Sequence, residues 1–379
     1  MTVPLPVSLY VHYPWCIRKC PYCDFNSYPK NRSVCTDESY LNALLSDFYQ
    51  NVNLLSGRKF NAVYFGGGTP SLFPPSLMEK LLKEIYPYCM DECEISMEAN
   101  PGTVSPASLK DYKSLGINRI SLGVQSFDDR ELKLLGRIHD SETAIKACQS
   151  VIKAGFKNFN IDIMHGLPFQ TAQKALSDLR TAASLGCNHL SWYELTLEED
   201  TYFGSHPPQL PDEDCLADIE NQGFSLLSEL GFNRYEVSGY TKDRRCQNNI
   251  NYWFFYDYLG IGAGAHSKIK NGDKTCRRAN RQDPKAYMED VEQRKDNFFE
   301  VKKTDLPFEF MLNRLRVFDE TEYDEFELTT SLDFSAVKEK LYRARDEGLL
   351  KFSDTGYSLT DHWEGKMLVL CLVFRKVRN

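Results

Sequence analysis

What most constrains this chain is the alternation, through its first half, of short apolar β-rich runs with amphipathic helical stretches. Strand-like runs fall at residues 9–12, 62–65, 95–98, 119–124, 159–164 and 190–195. Helix-like segments separate them at 40–55, 77–86, 106–115, 129–135 with 142–154, and 171–185. Two of these helices run into a glycine, at Lys153-Ala154-Gly155 and Ser184-Leu185-Gly186, the residue that most readily takes the left-handed turn at a helix end. Strands joined through helices pair in parallel, with right-handed crossovers. Six such units are too few to close an eight-stranded barrel, so the expectation is an open, partial α/β barrel of the (β/α)6 type. Its chemistry should sit at the carboxyl ends of the strands.

Composition narrows the function classes. Of 379 residues, 42% are hydrophobic and 26% charged, enough apolar material to bury a large core. The 45 basic and 53 acidic residues leave a net charge of −8, which disfavours general nucleic-acid binding because that needs cations to displace counterions from phosphates. The apolar run at residues 367–373, continued by Phe374, is too short to span a bilayer, and the first residues show no basic segment leading into an apolar one. Twelve cysteines are too sparse for a disulfide scaffold, so a cytoplasmic protein with reduced thiols is expected.

After Glu198 the rhythm changes, and three regions are expected: a barrel core over 1–200, a connecting region over 201–303 and a small domain over 304–379. The connecting region holds a helix near 212–230, the aromatic tract Tyr252-Trp253-Phe254-Phe255-Tyr256 and a glycine-rich stretch at 259–266. The last region reads as helices near 307–317 and 335–347 followed by a hairpin over 349–360 turning at Asp354-Thr355-Gly356, a winged-helix-like α+β shape. Residues 301–379 carry 13 basic and 15 acidic residues, so packing or covering a site is expected of this domain rather than DNA binding.

Directly after the first strand comes Cys16-Ile-Arg-Lys-Cys20-Pro-Tyr-Cys23, three thiols spaced C-x3-C-x2-C on one short loop. Such a loop suits a [4Fe–4S] cluster, and three protein thiolates would leave one iron open to a substrate or cofactor. Zinc more often takes four ligands arranged as two separated pairs. The other cysteines show no comparable pattern.

The stretch from Leu9 to Phe25, Leu-Tyr-Val-His-Tyr-Pro-Trp-Cys-Ile-Arg-Lys-Cys-Pro-Tyr-Cys-Asp-Phe, resembles the radical S-adenosylmethionine (SAM) superfamily. More narrowly it is similar to the oxygen-independent coproporphyrinogen III oxidase group, over residues 8–270 and more loosely beyond. The resemblance implies that Cys16, Cys20 and Cys23 hold the cluster, that SAM chelates the open iron through its amine and carboxylate, and that an electron from the cluster can cleave SAM to a 5′-deoxyadenosyl radical. It implies SAM contacts from Tyr10, from Tyr22, and from Gly67, Gly68 and Thr69 at the end of the second strand. Glu98, Gln125, Arg137 and Asp162, at or beyond successive strand ends, complete the implied set. A carboxylate can accept from ribose hydroxyls or an amine, and Arg137 can pair with the SAM carboxylate through two N–H groups.

Within that group two branches differ. Coproporphyrinogen-oxidising members carry a fourth cysteine two residues after the third, where this chain has Phe25. The form Cys-Asp-Phe-Asn-Ser, with Tyr64-Phe-Gly-Gly-Gly-Thr-Pro and Tyr258-Leu-Gly-Ile-Gly-Ala-Gly-Ala-His-Ser, resembles the HemW branch of heme chaperones. That resemblance implies heme as cargo, client proteins that receive it, and an electron donor. The alternative is the decarboxylase, with a porphyrinogen as substrate. A His-Asn-x-x-Tyr-Trp heme motif of the branch is matched here by Asn249, Tyr252 and Trp253, with Asn248 in place of the histidine. Cys246 and His266 are the nearby candidate iron ligands.

Overall fold

The computed structural model describes residues 5–30, 35–295 and 297–360. The six expected strands are present as β1 (Val7–Tyr13), β2 (Phe60–Gly67), β3 (Cys89–Ala99), β4 (Arg119–Gln125), β5 (Asn158–His165) and β6 (His189–Glu194). A seventh, β7 (Asp257–Ile261), comes from the glycine-rich stretch and lies parallel to β1 on the side away from β2. It escapes the sequence pattern because it follows no β-α unit. The parallel sheet runs β7-β1-β2-β3-β4-β5-β6, and antiparallel strands extend both edges without joining, so the barrel is open as expected.

Alternation along each strand divides the sheet into two faces. On β1, Val7, Leu9, Val11 and Tyr13 are buried against helices, among them α1 (Asp37–Asn51) with Tyr40, Leu44 and Phe48. The opposite face is polar. In register across it stand Tyr10 beside Tyr64, Ser96 beside Arg119, Asn160 beside Ser121 and His189 beside Asn160. These groups satisfy one another: Asn160 donates to Ser121 Oγ and Asp162 Oδ1 at 2.7 Å each, and the His189 ring lies 2.6 Å from Asn160 Oδ1 and 2.9 Å from the Tyr235 hydroxyl. A buried polar layer is tolerable only with such partners, and here it lines the barrel interior.

The amino end of the barrel is plugged by α2 (Gln247–Trp253), which was expected only as an aromatic tract. Its Asn251 pairs with Asn61 at the start of β2, and the Gln247 N–H donates to Glu94 midway along β3, where β3 begins its regular pairing with β2. The C-terminal module has its own core around Phe310, Phe326, Leu341 and Tyr357. It contains helices Leu306–Arg314, Tyr323–Thr330 and Ser335–Asp346 and a three-stranded sheet whose hairpin pairs Leu350–Phe352 with Gly356–Leu359. The middle helix was not foreseen. This module docks on the plugged end: the Val237 N–H donates to Arg316 O, the Phe318 N–H to Tyr235 O, and the Arg316 guanidinium lies 4.4 Å from the Trp253 ring centre. None of its described residues reaches the cavity at the other end. The apolar run at 367–373 lies outside the described residues.

Candidate functional site

At the carboxyl ends of the parallel strands lies a cavity of about 430 Å³. It is lined by Cys16, Cys20 and Cys23, by Tyr22, Gly67, Gly68 and Thr69, and by Glu98, Gln125, Arg137 and Asp162. The structure thus gathers every expected cluster and SAM residue except Tyr10 around one space. Tyr10 points to the same face one layer deeper, its ring stacked on Tyr64 at 6.3 Å and its hydroxyl 2.9 Å from His12 Nδ1.

The cysteine loop is fixed by its own backbone and by the strand-four connection. The Cys23 N–H donates to Cys20 O at 3.1 Å, and the Arg18 guanidinium reaches the carbonyls of Gly136 and Arg137. Burial raises the Cys16 thiol to about 11 and lifts Cys23 as well, so metal uptake must displace protons from both. Among the described residues no three acidic, cysteine or histidine side chains converge as ligands of a single ion. The three thiols of this one short loop all line the cavity, an arrangement that fits a [4Fe–4S] cluster held through three of its irons.

Three ionisable side chains, Arg137, Glu98 and Asp162, line the cavity. Arg137 donates to the Tyr22 hydroxyl at 3.3 Å, to Cys20 Sγ at 3.7 Å and to Gly123 O, yet its buried Nε has no partner. A buried guanidinium beside a thiol, with an N–H left over, suits an anionic group in the cavity. Glu98 accepts from the Tyr64 hydroxyl at 2.8 Å and from the Gly67 N–H at 3.2 Å, and burial pushes its carboxyl up to about 7. Asp162 accepts from Ser121 at 3.0 Å and from Asn160, with burial raising its carboxyl too. Carboxylates held this way can accept from an amine or from hydroxyls, which is the donor chemistry SAM presents.

Local backbone serves the same end. Gly67 sits at φ +118°, and a β-carbon there would lie 2.7 Å from the His12 ring, so only glycine lets the loop close over β1. Gln125 takes φ +76° without being glycine, a strained conformation that aims its side chain at the Tyr193 hydroxyl, 2.7 Å away. Tyr64, Ser121 and Tyr193 also line the cavity, beyond the residues expected from the sequence. The signal for Tyr64 and Tyr193 was their place near the carboxyl ends of β2 and β6; Ser121 becomes visible only through register with Asp162's strand.

Asn249, Tyr252 and Trp253 are not brought to this cavity. They sit on α2 at the amino end, where Tyr252 packs on Tyr258 at 4.2 Å and Trp253 lies under Arg316. Gly67 and Glu98 are six and four residues further along their strands than Asn61 and Glu94, which α2 contacts, a separation of about 13–20 Å at strand rise. Cys246 is buried, its thiol donating to Glu94 Oε1 at 3.7 Å, and does not face open space.

Family models match in two places: the Radical SAM superfamily over residues 10–182 and the HemN C-terminal domain over residues 301–362. The chain is 43% identical over 375 residues to the heme chaperone HemW of Escherichia coli strain K12, covering 97% of each chain. It belongs to the HemW family of radical SAM proteins. A second HemW, from Haemophilus influenzae, is 43% identical over 376 residues with 96% of each chain covered. Membership in this family implies a [4Fe–4S] cluster and SAM, which the thiols and the cavity fit. The fold is shared with the solved structure of coproporphyrinogen III oxidase (HemN) from Escherichia coli, at TM-score 0.81 and 23% identity over 98% of this chain and 90% of that one.

Proposed function

We propose that this protein is a heme chaperone: it binds heme and passes it to client proteins, using a cavity that holds a [4Fe–4S] cluster and SAM. The observation that carries this reading is the likeness to heme chaperone HemW over 97% of the chain. Phe25 supports it. At the lip of the cavity, where the decarboxylases carry a fourth cysteine, this apolar side chain is 56% exposed and offers neither a thiol nor a proton.

In this reading Cys16, Cys20 and Cys23 ligate the cluster, leaving one iron for SAM. Arg137 holds the SAM carboxylate, Glu98 with the carbonyls of the glycine loop holds its amine, and Asp162 and Gln125 take the ribose side. Tyr22 packs its ring beside the adenine. The bound pair supplies one-electron chemistry when an electron donor reduces the cluster. The protein's own groups bind, orient and exclude water. Asn249, Tyr252 and Trp253, the residues that match the branch's heme motif, would mark a separate heme region at the far end of the barrel, where Tyr252 packs on Tyr258 and Trp253 under Arg316. Eleven free thiols among the described residues suit a reducing compartment, which we take to be the cytoplasm, and no described helix is long and apolar enough to cross a membrane.

The test is anaerobic. Cluster-loaded protein receives SAM, a reductant and coproporphyrinogen III, and separately receives heme followed by an apo-hemoprotein acceptor. A chaperone makes no protoporphyrinogen above a Cys20→Ala control but binds heme stoichiometrically and releases it to the acceptor. Product formation dependent on Cys20 would replace this reading with the decarboxylase.

A further inference from the structure

The glycine-rich stretch around residues 259–266 stands out in the sequence, yet it contributes nothing to the cavity wall. Its connection to the site runs through one side chain. Asn26, three residues after Cys23, commits both amide hydrogens of Nδ2 to backbone carbonyls elsewhere in the chain: Ala263 O at 3.0 Å and Gln282 O at 2.9 Å. Its own carbonyl accepts from His12 Nε2 at 2.8 Å. A carbonyl only accepts, so Nε2 carries the proton; in the neutral ring Nδ1 is then left to accept from the Tyr10 hydroxyl at 2.9 Å. Burial favours that neutral form.

Both neighbours of this strut are shaped to it. Gly264 has φ +76°, and a β-carbon there would fall 2.4 Å from Asn26 Nδ2. On the other side the His12 ring packs under Gly67 of the loop that closes the cavity. The chain of contacts therefore runs from residues 263 and 282 through Asn26 to His12 and the glycine loop, and Asn26 is the point where the cysteine loop is attached. The residue type follows from the geometry. Aspartate has no hydrogens to give and would set a carboxylate against two carbonyl oxygens, and a serine hydroxyl has one hydrogen for two acceptors.

We propose that Asn26 is a positioning residue for the cluster and SAM site, fixing the Cys23–Phe25 arm against the glycine loop through His12, with the stretch around Ala263 as its anchor. Asn26 touches neither thiol nor cavity. It sets the distance between the part of the site that holds iron and the part that holds the SAM methionine group. The inference rests on the cluster and SAM site proposed above.

Three variants with all cysteines intact test it: Asn26→Asp, His12→Ala and His12→Gln. A glutamine amide can stand where Nε2 stands and donate to the Asn26 carbonyl. The readouts are iron and sulfide per chain, the melting temperature, the SAM dissociation constant, and the change in the electron paramagnetic resonance signal of the reduced cluster on adding SAM. The expected result is cluster uptake in all three. Asn26→Asp and His12→Ala bind SAM about tenfold more weakly, about 1.4 kcal/mol, and lose the SAM-induced spectral change. His12→Gln stays within about threefold of the parent, about 0.7 kcal/mol, and keeps it. Unchanged SAM affinity and spectrum in Asn26→Asp would overturn the inference. So would a His12→Gln variant as defective as His12→Ala, or variants that lose iron in step with a lowered melting temperature, which would make the contacts structural only. A parent protein that takes up no cluster would overturn the site itself, and this inference with it.

Discussion

Glu98 offers a quantitative check on the electrostatics of the cavity. Burial moves its carboxyl from the usual 4.5 to about 7, against the opposing pull of the Tyr64 hydroxyl and the Gly67 N–H. Below pH 4.5 the group is protonated whether the chain is folded or not. Between 4.5 and 7 the folded protein keeps a proton that the unfolded chain has released, so folding stability falls as pH rises through this window and levels off above it. Each pH unit of displacement is worth about 1.4 kcal/mol, giving at most about 3 kcal/mol in all, of which about 2 kcal/mol falls between pH 5.5 and 8. In Glu98→Gln nothing titrates. The glutamine amide faces the Gly67 N–H with the wrong polarity, but that penalty is the same at every pH and cancels when two pH values are compared. The assay is urea unfolding of cluster-loaded protein, without SAM, at pH 5.5 and 8. The parent should lose about 2 kcal/mol more than Glu98→Gln over that interval. Equal losses, within about 0.5 kcal/mol, would show that Glu98 is already ionised in the open cavity and would refute the burial argument.

Two further outcomes are expected. Cys20→Ala should abolish the visible absorption of the reconstituted cluster and cut bound iron to background; a variant that still loads a full cluster would remove Cys20 from the ligand set. Asp47→Leu should destabilise the fold by about 3–5 kcal/mol in urea unfolding, because Asp47 accepts from Arg278 at 2.8 Å, from Asn280 at 3.0 Å and from Tyr287 at 2.9 Å, and its loss leaves a buried guanidinium without its counter-charge. A loss below about 1 kcal/mol would mean that water reaches Arg278.

The helix-strand alternation of the first half, the cysteine triplet and the strand-end positions of Glu98 and Gln125 were all legible in the chain, because each depends on local chemistry. A short apolar β-rich run between helical stretches marks a strand, a glycine after a helix marks its end, and three thiols within eight residues share a loop in any fold. The likeness of the quoted motifs to the HemW branch likewise needed no coordinates. Other features were invisible for a shared reason. β7 is a strand because β1 has a free edge beside it, and its own residues read as a glycine loop. Asn26 is a bland polar residue until Ala263 and Gln282, more than 230 positions away, arrive beside it.

The placement of Asn249, Tyr252 and Trp253 shows the division most clearly. Sequence marked them as an aromatic group, and only the packing of α2 on Asn61 and Glu94 put them at the opposite end of the barrel from the cysteines. The C-terminal module, open in sequence to covering the site, is held at that same far end by backbone hydrogen bonds from Val237 N–H to Arg316 O and from Phe318 N–H to Tyr235 O. Sequence determined which chemical groups this protein carries and which elements bear them, since propensity and spacing act over a few residues. Which groups share a cavity was decided by tertiary structure alone, because strand order, register and the burial of charge are settled between segments far apart in the chain.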